Sequence, residues 1–176
     1  MNPIPGPRFP REHANEAASP LLRHGWSDWV KAMVPQAAQQ PQFSTQRPNG
    51  WTQESREILA TAPGLYYDVG SGYGIYEWQA RKVEKWNETK IAVHIGSTYT
   101  VHPESSLRDR VKEYCTNGSH KADLINDALT KGYELWFRVK SAPDRKTAED
   151  LENELLDRYD YAWNVRCNGE LKHILR

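Results

Sequence analysis

The stretch GLYYDVGSGYGIYEW, Gly64 to Trp78, holds two near-copies of one pattern, Gly64-Leu65-Tyr66 and Gly74-Ile75-Tyr76, with a glycine-rich bend between them. Each copy is a glycine, a branched apolar residue and a tyrosine. The alternation from Ile75 to Gln79, rich in aromatic residues, reads as a strand. Its nearest partner is KIAVHI, Lys90 to Ile95, a second strand.

Downstream, Ser105 to Tyr114 places Leu107 and Val111 on one face of a helix, and His120 to Thr130 gathers Leu124, Ile125, Ala128 and Leu129 in the same way. Tyr133 to Val139 (YELWFRV) is a third strand, and Lys146 to Tyr159 is a helix periodic through Leu151, Leu155 and Leu156. The order β-β-α-α-β-α implies an α+β domain, with a small antiparallel three-stranded sheet flanked by helices. Upstream, residues 1–20 are proline-rich and polar and read as a disordered arm. Leu21 to Ala38 reads as an amphipathic helix with Trp26, Trp29, Val30 and Met33 on one side, ended by Pro35. A linker over 39–50 follows, then a helix that Thr52 caps, with Ile58 and Leu59 inward and Pro63-Gly64 as its stop. The expected division is an arm over 1–20, a helical extension over 21–62 and the main domain over 63–176.

A chain of 176 residues supports one domain with a real core. Hydrophobic content is low at 38%, but seven Trp and nine Tyr supply large buried areas. No apolar run approaches the roughly 20 residues a bilayer requires, and the amino-terminal residues carry no secretory pattern. Cys115 and Cys167 do not make a disulfide framework. The expectation is a soluble intracellular protein, nuclear in a eukaryote and otherwise cytoplasmic. Twenty-three basic residues balance twenty-three acidic ones. That argues against a general nucleic-acid coat but allows a local basic face.

Several separated pieces share one pattern. The second strand carries Val93-His94-Ile95-Gly96, followed by Ser97 and Thr98. Leu107-Arg108-Asp109-Arg110-Val111-Lys112-Glu113-Tyr114 comes next, then Leu151-Glu152, with Asn164 twelve residues beyond Glu152. In that order they resemble the GIY-YIG nuclease superfamily from about Pro63 to Gly169. The strand GYELWFRV and the ending DYAWNVRCNGE are similar to the nuclease-like domain of plant effector-of-transcription regulators, whose cysteine-rich repeats this chain lacks. The resemblance implies a metal-dependent DNA endonuclease with Tyr76, His94, Arg110, Tyr114, Glu152 and Asn164 in its site, Glu152 holding Mg²⁺ or Mn²⁺. The alternative it implies is a DNA-binding transcriptional regulator on the same fold, with weak or no catalysis.

These residue types suit phosphodiester hydrolysis. The reaction needs a water deprotonated in line with the phosphate, positive charge on the non-bridging oxygens and help for the leaving oxygen. A carboxylate such as Glu152 can hold a hard cation, and a guanidinium such as Arg110 can clamp phosphate through two bonds. A tyrosine hydroxyl can orient or deprotonate water. Tyr76 lies 18 positions before His94 and Tyr66 lies 28; short hairpin connections favour Tyr76 as the first-motif tyrosine. In the family this chain resembles, a proline often precedes the motif, so the resemblance gives Tyr66, after Pro63-Gly64, the better upstream context.

Two departures stand out. His94 occupies a position where the family has tyrosine, and an imidazole, with a reference pKa of about 6.5 against about 10 for a phenol, accepts a proton near neutral pH more readily. It is a base, a partner to Tyr76, or a mark of lost activity. The lysine some members carry between the second motif and the arginine is also absent, leaving His102 as the basic side chain there before Arg108.

Arg108, Arg110, Lys112, His120 and Lys121 form a basic cluster able to track a DNA backbone, or simply a solvated helix face. Cys115/His120 and Cys167/His173 have zinc-compatible spacings, but two ordinary thiols are the simpler reading.

Overall fold

The computed structural model describes residues 9–35, 73–98, 107–115, 121–164 and 175. Along them run β1 (Phe9–Pro10), two short 3-10 turns, α1 (Pro20–Arg23), β2 (Val30–Met33), β3 (Tyr73–Glu84), β4 (Asn87–Ser97), α2 (Leu107–Cys115), α3 (Ala122–Thr130), β5 (Glu134–Ala142), α4 (Arg145–Arg158) and β6 (Tyr159–Asp160). The central sheet is antiparallel with order β2-β5-β3-β4. From β3 onward this is the expected α+β succession.

Directly opposed residues of antiparallel strands share a face. Tyr76 pairs with Gly96 and Val139, and Trp78 with His94 and Phe137, so these project to one side. There α2 and α3 pack through Leu107, Val111, Tyr114, Ile125, Ala128 and Leu129. On the other side Ile75, Ala92 and Ile95 meet Ala148, Leu155 and Leu156 of α4, with Leu22 and Tyr161. Helix α4 starts on Asp144, whose side chain accepts the Thr147 amide at 2.7 Å, as a capping aspartate should.

The amino-terminal region departs from expectation. The helix expected over 21–38 is a single turn, Pro20–Arg23, followed by strand β2, which pairs Val30 with Phe137 and gives the sheet a fourth strand. Gly25, at φ +79°, breaks the chain between them. The Trp26/Trp29/Val30/Met33 spacing fits a helix locally, but the open edge of β5 offers backbone hydrogen bonds that a short isolated helix does not outweigh. Residues 9–20 are not an unstructured arm: β1 pairs in parallel with β6, and Arg11 is buried. The helix expected after Thr52, the linker before it, and Tyr66 lie outside the described residues.

Arg11 is buried because Glu77 is. Glu77 projects from the middle of β3 into the second face at 2% exposure. Its carboxylate accepts Arg11 Nε at 2.7 Å, Arg138 Nε at 3.0 Å and the Tyr161 hydroxyl at 2.5 Å. Glu16 joins by accepting Arg11 Nη2 at 3.2 Å and Arg138 Nη2 at 3.1 Å. The Arg138 guanidinium lies over the rings of Trp26 and Trp29. Burial alone would raise the Glu77 carboxyl; the two guanidiniums more than reverse this and hold it below its ordinary range. This network ties the amino-terminal segment to the sheet.

Removing one partner of a buried ion cluster strands the others. Glu77→Gln should therefore lower unfolding stability by about 3–5 kcal/mol in denaturant titrations. Glu77's depressed pKa makes its contribution complete above the unfolded carboxyl's ordinary value and lost as pH falls through the depressed one. The wild type should accordingly lose stability in acid along a limb that Glu77→Gln flattens.

Candidate active site

The start of β3 and the end of β4 bring two glycines to the places where side chains would collide. A Cβ on Gly96 would sit 2.2 Å from the Tyr76 hydroxyl oxygen, and one on Gly74 would sit 2.1 Å from the Lys140 carbonyl. Gly96 therefore leaves room for the hydroxyl end of the buried Tyr76 ring. Gly74 is locked to Thr98, donating its amide to Thr98 Oγ1 at 3.0 Å and accepting the Thr98 amide at 3.0 Å.

From Tyr76 a chain of hydrogen bonds crosses the first face. The Tyr76 and Tyr114 hydroxyls are 3.2 Å apart, Tyr114 Oη lies 2.8 Å from His94 Nε2, and His94 Nδ1 lies 2.9 Å from Asn164 Oδ1. Asn164 decides the direction. Its Oδ1 accepts the Ile95 amide at 2.9 Å while its Nδ2 donates to the Ile95 carbonyl at 3.0 Å, so the amide cannot flip. An oxygen facing Nδ1 requires that Nδ1 carry the proton. Neutral His94 then has Nε2 as an acceptor, the Tyr114 hydroxyl donates to it, and Tyr76 donates to Tyr114.

At the other end Arg110 Nη2 donates to the Tyr76 oxygen at a long 3.5 Å, while Nη1 pairs with Glu113 at 2.6 Å. Arg110 Nε is buried with no hydrogen-bond partner among the described residues, a charged donor suited to an anionic oxygen. Burial raises the Tyr76 hydroxyl, with the Arg110 charge partly offsetting it, and burial together with the neighbouring Tyr76 raises Tyr114 as well. Both phenols are thus protonated at neutral pH.

Glu152 enters from the opposite layer. It stands on α4, half-buried, and accepts Ser97 Oγ at 2.5 Å. Ser97 follows Gly96 on β4, and the Glu152 charge acts on the Tyr76 hydroxyl. The structure therefore gathers Tyr76, His94, Arg110, Tyr114 and Asn164 into one chain of contacts, with Glu152 beside it rather than within it. Among the described residues no three His, Cys, Asp or Glu side chains assemble as a metal cluster. The donor set fits a single-carboxylate site, of the kind Mg²⁺ occupies while keeping several waters.

The six expected residues come from four elements and the segment after β6, and all six fall inside a match to known sequences. The model for GIY-YIG domain-containing proteins matches residues 49–174. The chain belongs to the GIY-YIG family. It is 29% identical over 109 residues to Protein EFFECTOR OF TRANSCRIPTION 3 of Arabidopsis thaliana, covering 61% of this chain and 38% of that protein. It is 27% identical over 134 residues to Protein EFFECTOR OF TRANSCRIPTION 2 of the same plant, covering 65% and 26%. The chain thus spans well under half the length of these relatives. No solved structure matches it.

Other expectations shift. Lys121 is buried and donates to the Trp163 carbonyl at 2.5 Å, so it holds the segment leading to Asn164 instead of facing a DNA backbone. The Arg108 and Lys112 side chains, His120, and the Cys115, Cys167 and His173 side chains lie outside the described residues. Ser97 and Lys121 were missed as supports of the site; neither has a spacing signal, since each acts through a contact distant in sequence.

Asn164→Ala should leave His94 Nδ1 and the Ile95 amide without that acceptor, at about 1–3 kcal/mol for each buried group. Ring ¹⁵N shifts should show the Nδ1–H tautomer of His94 in the wild type and a mixture in the variant. Gly96→Ala should displace Tyr76 and cost about 1–3 kcal/mol of unfolding free energy, measured by thermal melting.

Proposed function

We propose that this GIY-YIG chain is a divalent-metal-dependent DNA endonuclease that hydrolyses or nicks a phosphodiester. The observation that carries the reading is the directed hydrogen-bond chain from Tyr76 through Tyr114 to His94, with an arginine at its head.

A water beside Tyr76 gives its proton to the Tyr76 oxygen as the Tyr76 proton moves to Tyr114 and the Tyr114 proton moves to His94 Nε2. The proton rests on an imidazolium whose Nδ1–H stays on Asn164. No free tyrosinate is needed, which matters because burial holds both phenols protonated. In this reading the histidine replacing the family's tyrosine is a proton acceptor. Arg110 supplies a guanidinium to the phosphate oxygens. Glu152, backed by Ser97, is the residue that would hold Mg²⁺ or Mn²⁺. When bound, such an ion supplies positive charge to the non-bridging and leaving oxygens.

A second reading has its own support: the relatives are named for transcription, and they extend well beyond the matched region. It makes the chain a DNA-binding regulator that keeps the fold without cleavage. Either reading places the chain with DNA, in the nucleus of a eukaryotic cell.

Incubation of supercoiled plasmid with Mg²⁺ or Mn²⁺ separates the two. The nuclease should nick, Glu152→Ala should abolish nicking, and Arg110→Ala should lower it by about 10²–10³. His94→Phe should lower the rate by about 10²–10⁴ with DNA binding retained. Nicking by His94→Phe at the wild-type rate would overturn the relay. Salt-sensitive DNA binding without nicking under either metal would leave the regulator.

A further inference from the structure

The ribbon formed by β3 and β4 runs past the rest of the sheet. Strand β5 pairs with β3 only as far as Arg81, so Lys82–Glu84 and Asn87–Thr89 pair with each other alone. At the turn Trp86 is 99% exposed, and Val83 nearby is 72% exposed. The other described tryptophans are buried or half-buried: Trp78 and Trp163 lie in the core, and Trp26, Trp29 and Trp136 lie against guanidiniums. Lys85 adopts φ +56°, a conformation that tight hairpins normally give to Gly, Asn or Asp and that a lysine adopts at a cost. Neither turn residue helps the hairpin fold. A tip that breaks local rules and displays an indole points to a contact with something else.

The chemistry of the tip narrows the partner. Lys82 pairs with Glu84 and Lys90 with Glu88, leaving Lys85 without an ion pair among the described residues. Three lysines against two glutamates give Lys82–Lys90 a net charge of +1. Two exposed apolar side chains are too few for an ordinary protein interface, whereas one flat ring beside a cation suits a base stack flanked by phosphates. The major groove of duplex DNA admits a two-stranded ribbon. The eight residue steps from Tyr76 to Glu84 span about 27 Å at the usual strand rise, or about eight base-pair steps.

We propose that the β3–β4 hairpin tip is a second contact with duplex DNA, in which the Trp86 indole wedges into a base step, partly unstacking it, and Lys85 meets a phosphate about eight steps from the cleavage site. This rests on the nucleic-acid reading above.

The test is fluorescence anisotropy of the full chain with a labelled duplex of about 20 base pairs, across a salt series. Thermal melting checks that each variant is folded. Trp86→Ala should weaken binding about tenfold with the salt slope unchanged, and Trp86→Phe should recover most of the loss. Lys85→Ala should reduce the slope by about one. A Trp86→Ala protein that binds like the wild type overturns the tip contact and leaves the DNA reading standing. A wild type with no salt-sensitive DNA binding overturns both.

Discussion

The side-chain amide of Asn164 bonds to both the N–H and the C=O of Ile95, and the direction of the hydrogen bonds running from Tyr76 through Tyr114 to His94 follows from that contact. It extends the edge of β4 as a further strand would. The Ala162 and Trp163 amides have already bonded to the Ala92 and Val93 carbonyls, and Lys121 holds the Trp163 carbonyl from below. With the amide unable to turn, His94 has one neutral tautomer, and the two tyrosines donate in sequence toward it. A histidine in place of tyrosine at this position therefore does more than fill space: it ends the chain in a group that can take a proton.

The two faces of the sheet use burial in opposite ways. On the first, burial pushes Tyr76 and Tyr114 up and keeps them as neutral donors. On the second, two arginines overcome burial and keep Glu77 ionised. The charged side is structural, joining residues 9–35 to the sheet through Arg11, Glu16, Glu77 and Arg138. The neutral side carries the expected site residues, beside an arginine whose Nε is buried without a partner among the described residues. Glu152 belongs to the layer over the second face, yet reaches the same end of the sheet because Gly96 and Ser97 are adjacent on β4.

Family membership and mechanism rest on different grounds here. The match over residues 49–174 establishes the family, while the proposed relay rests on the hydrogen bonds that join Tyr76, Tyr114, His94 and Asn164 in this chain. The plant relatives share the domain and carry much additional length, so what they do as whole proteins is separate from what this fold can do.

Much of this was legible in the chain. Period and alternation located β4, α2, α3, β5 and α4 to within three residues, because each buries an apolar face against its neighbours, and found the start of β3, whose far end runs five residues past the expected Gln79. Motif order singled out Tyr76, His94, Arg110, Tyr114, Glu152 and Asn164, and spacing favoured Tyr76 over Tyr66, which lies outside the described residues. Local pattern failed at the amino terminus. Val30–Met33 satisfies helical spacing and is a strand because β5 has an edge to fill. Arg11 reads as one more charge in a polar arm and is buried because Glu77, 66 residues away, needs it. Lys121 reads as a surface cation and is a strut. Residue type and spacing are carried by the sequence itself, but tautomer, hydrogen-bond direction and the pairing of buried charges depend on groups brought together only when the chain closes on itself.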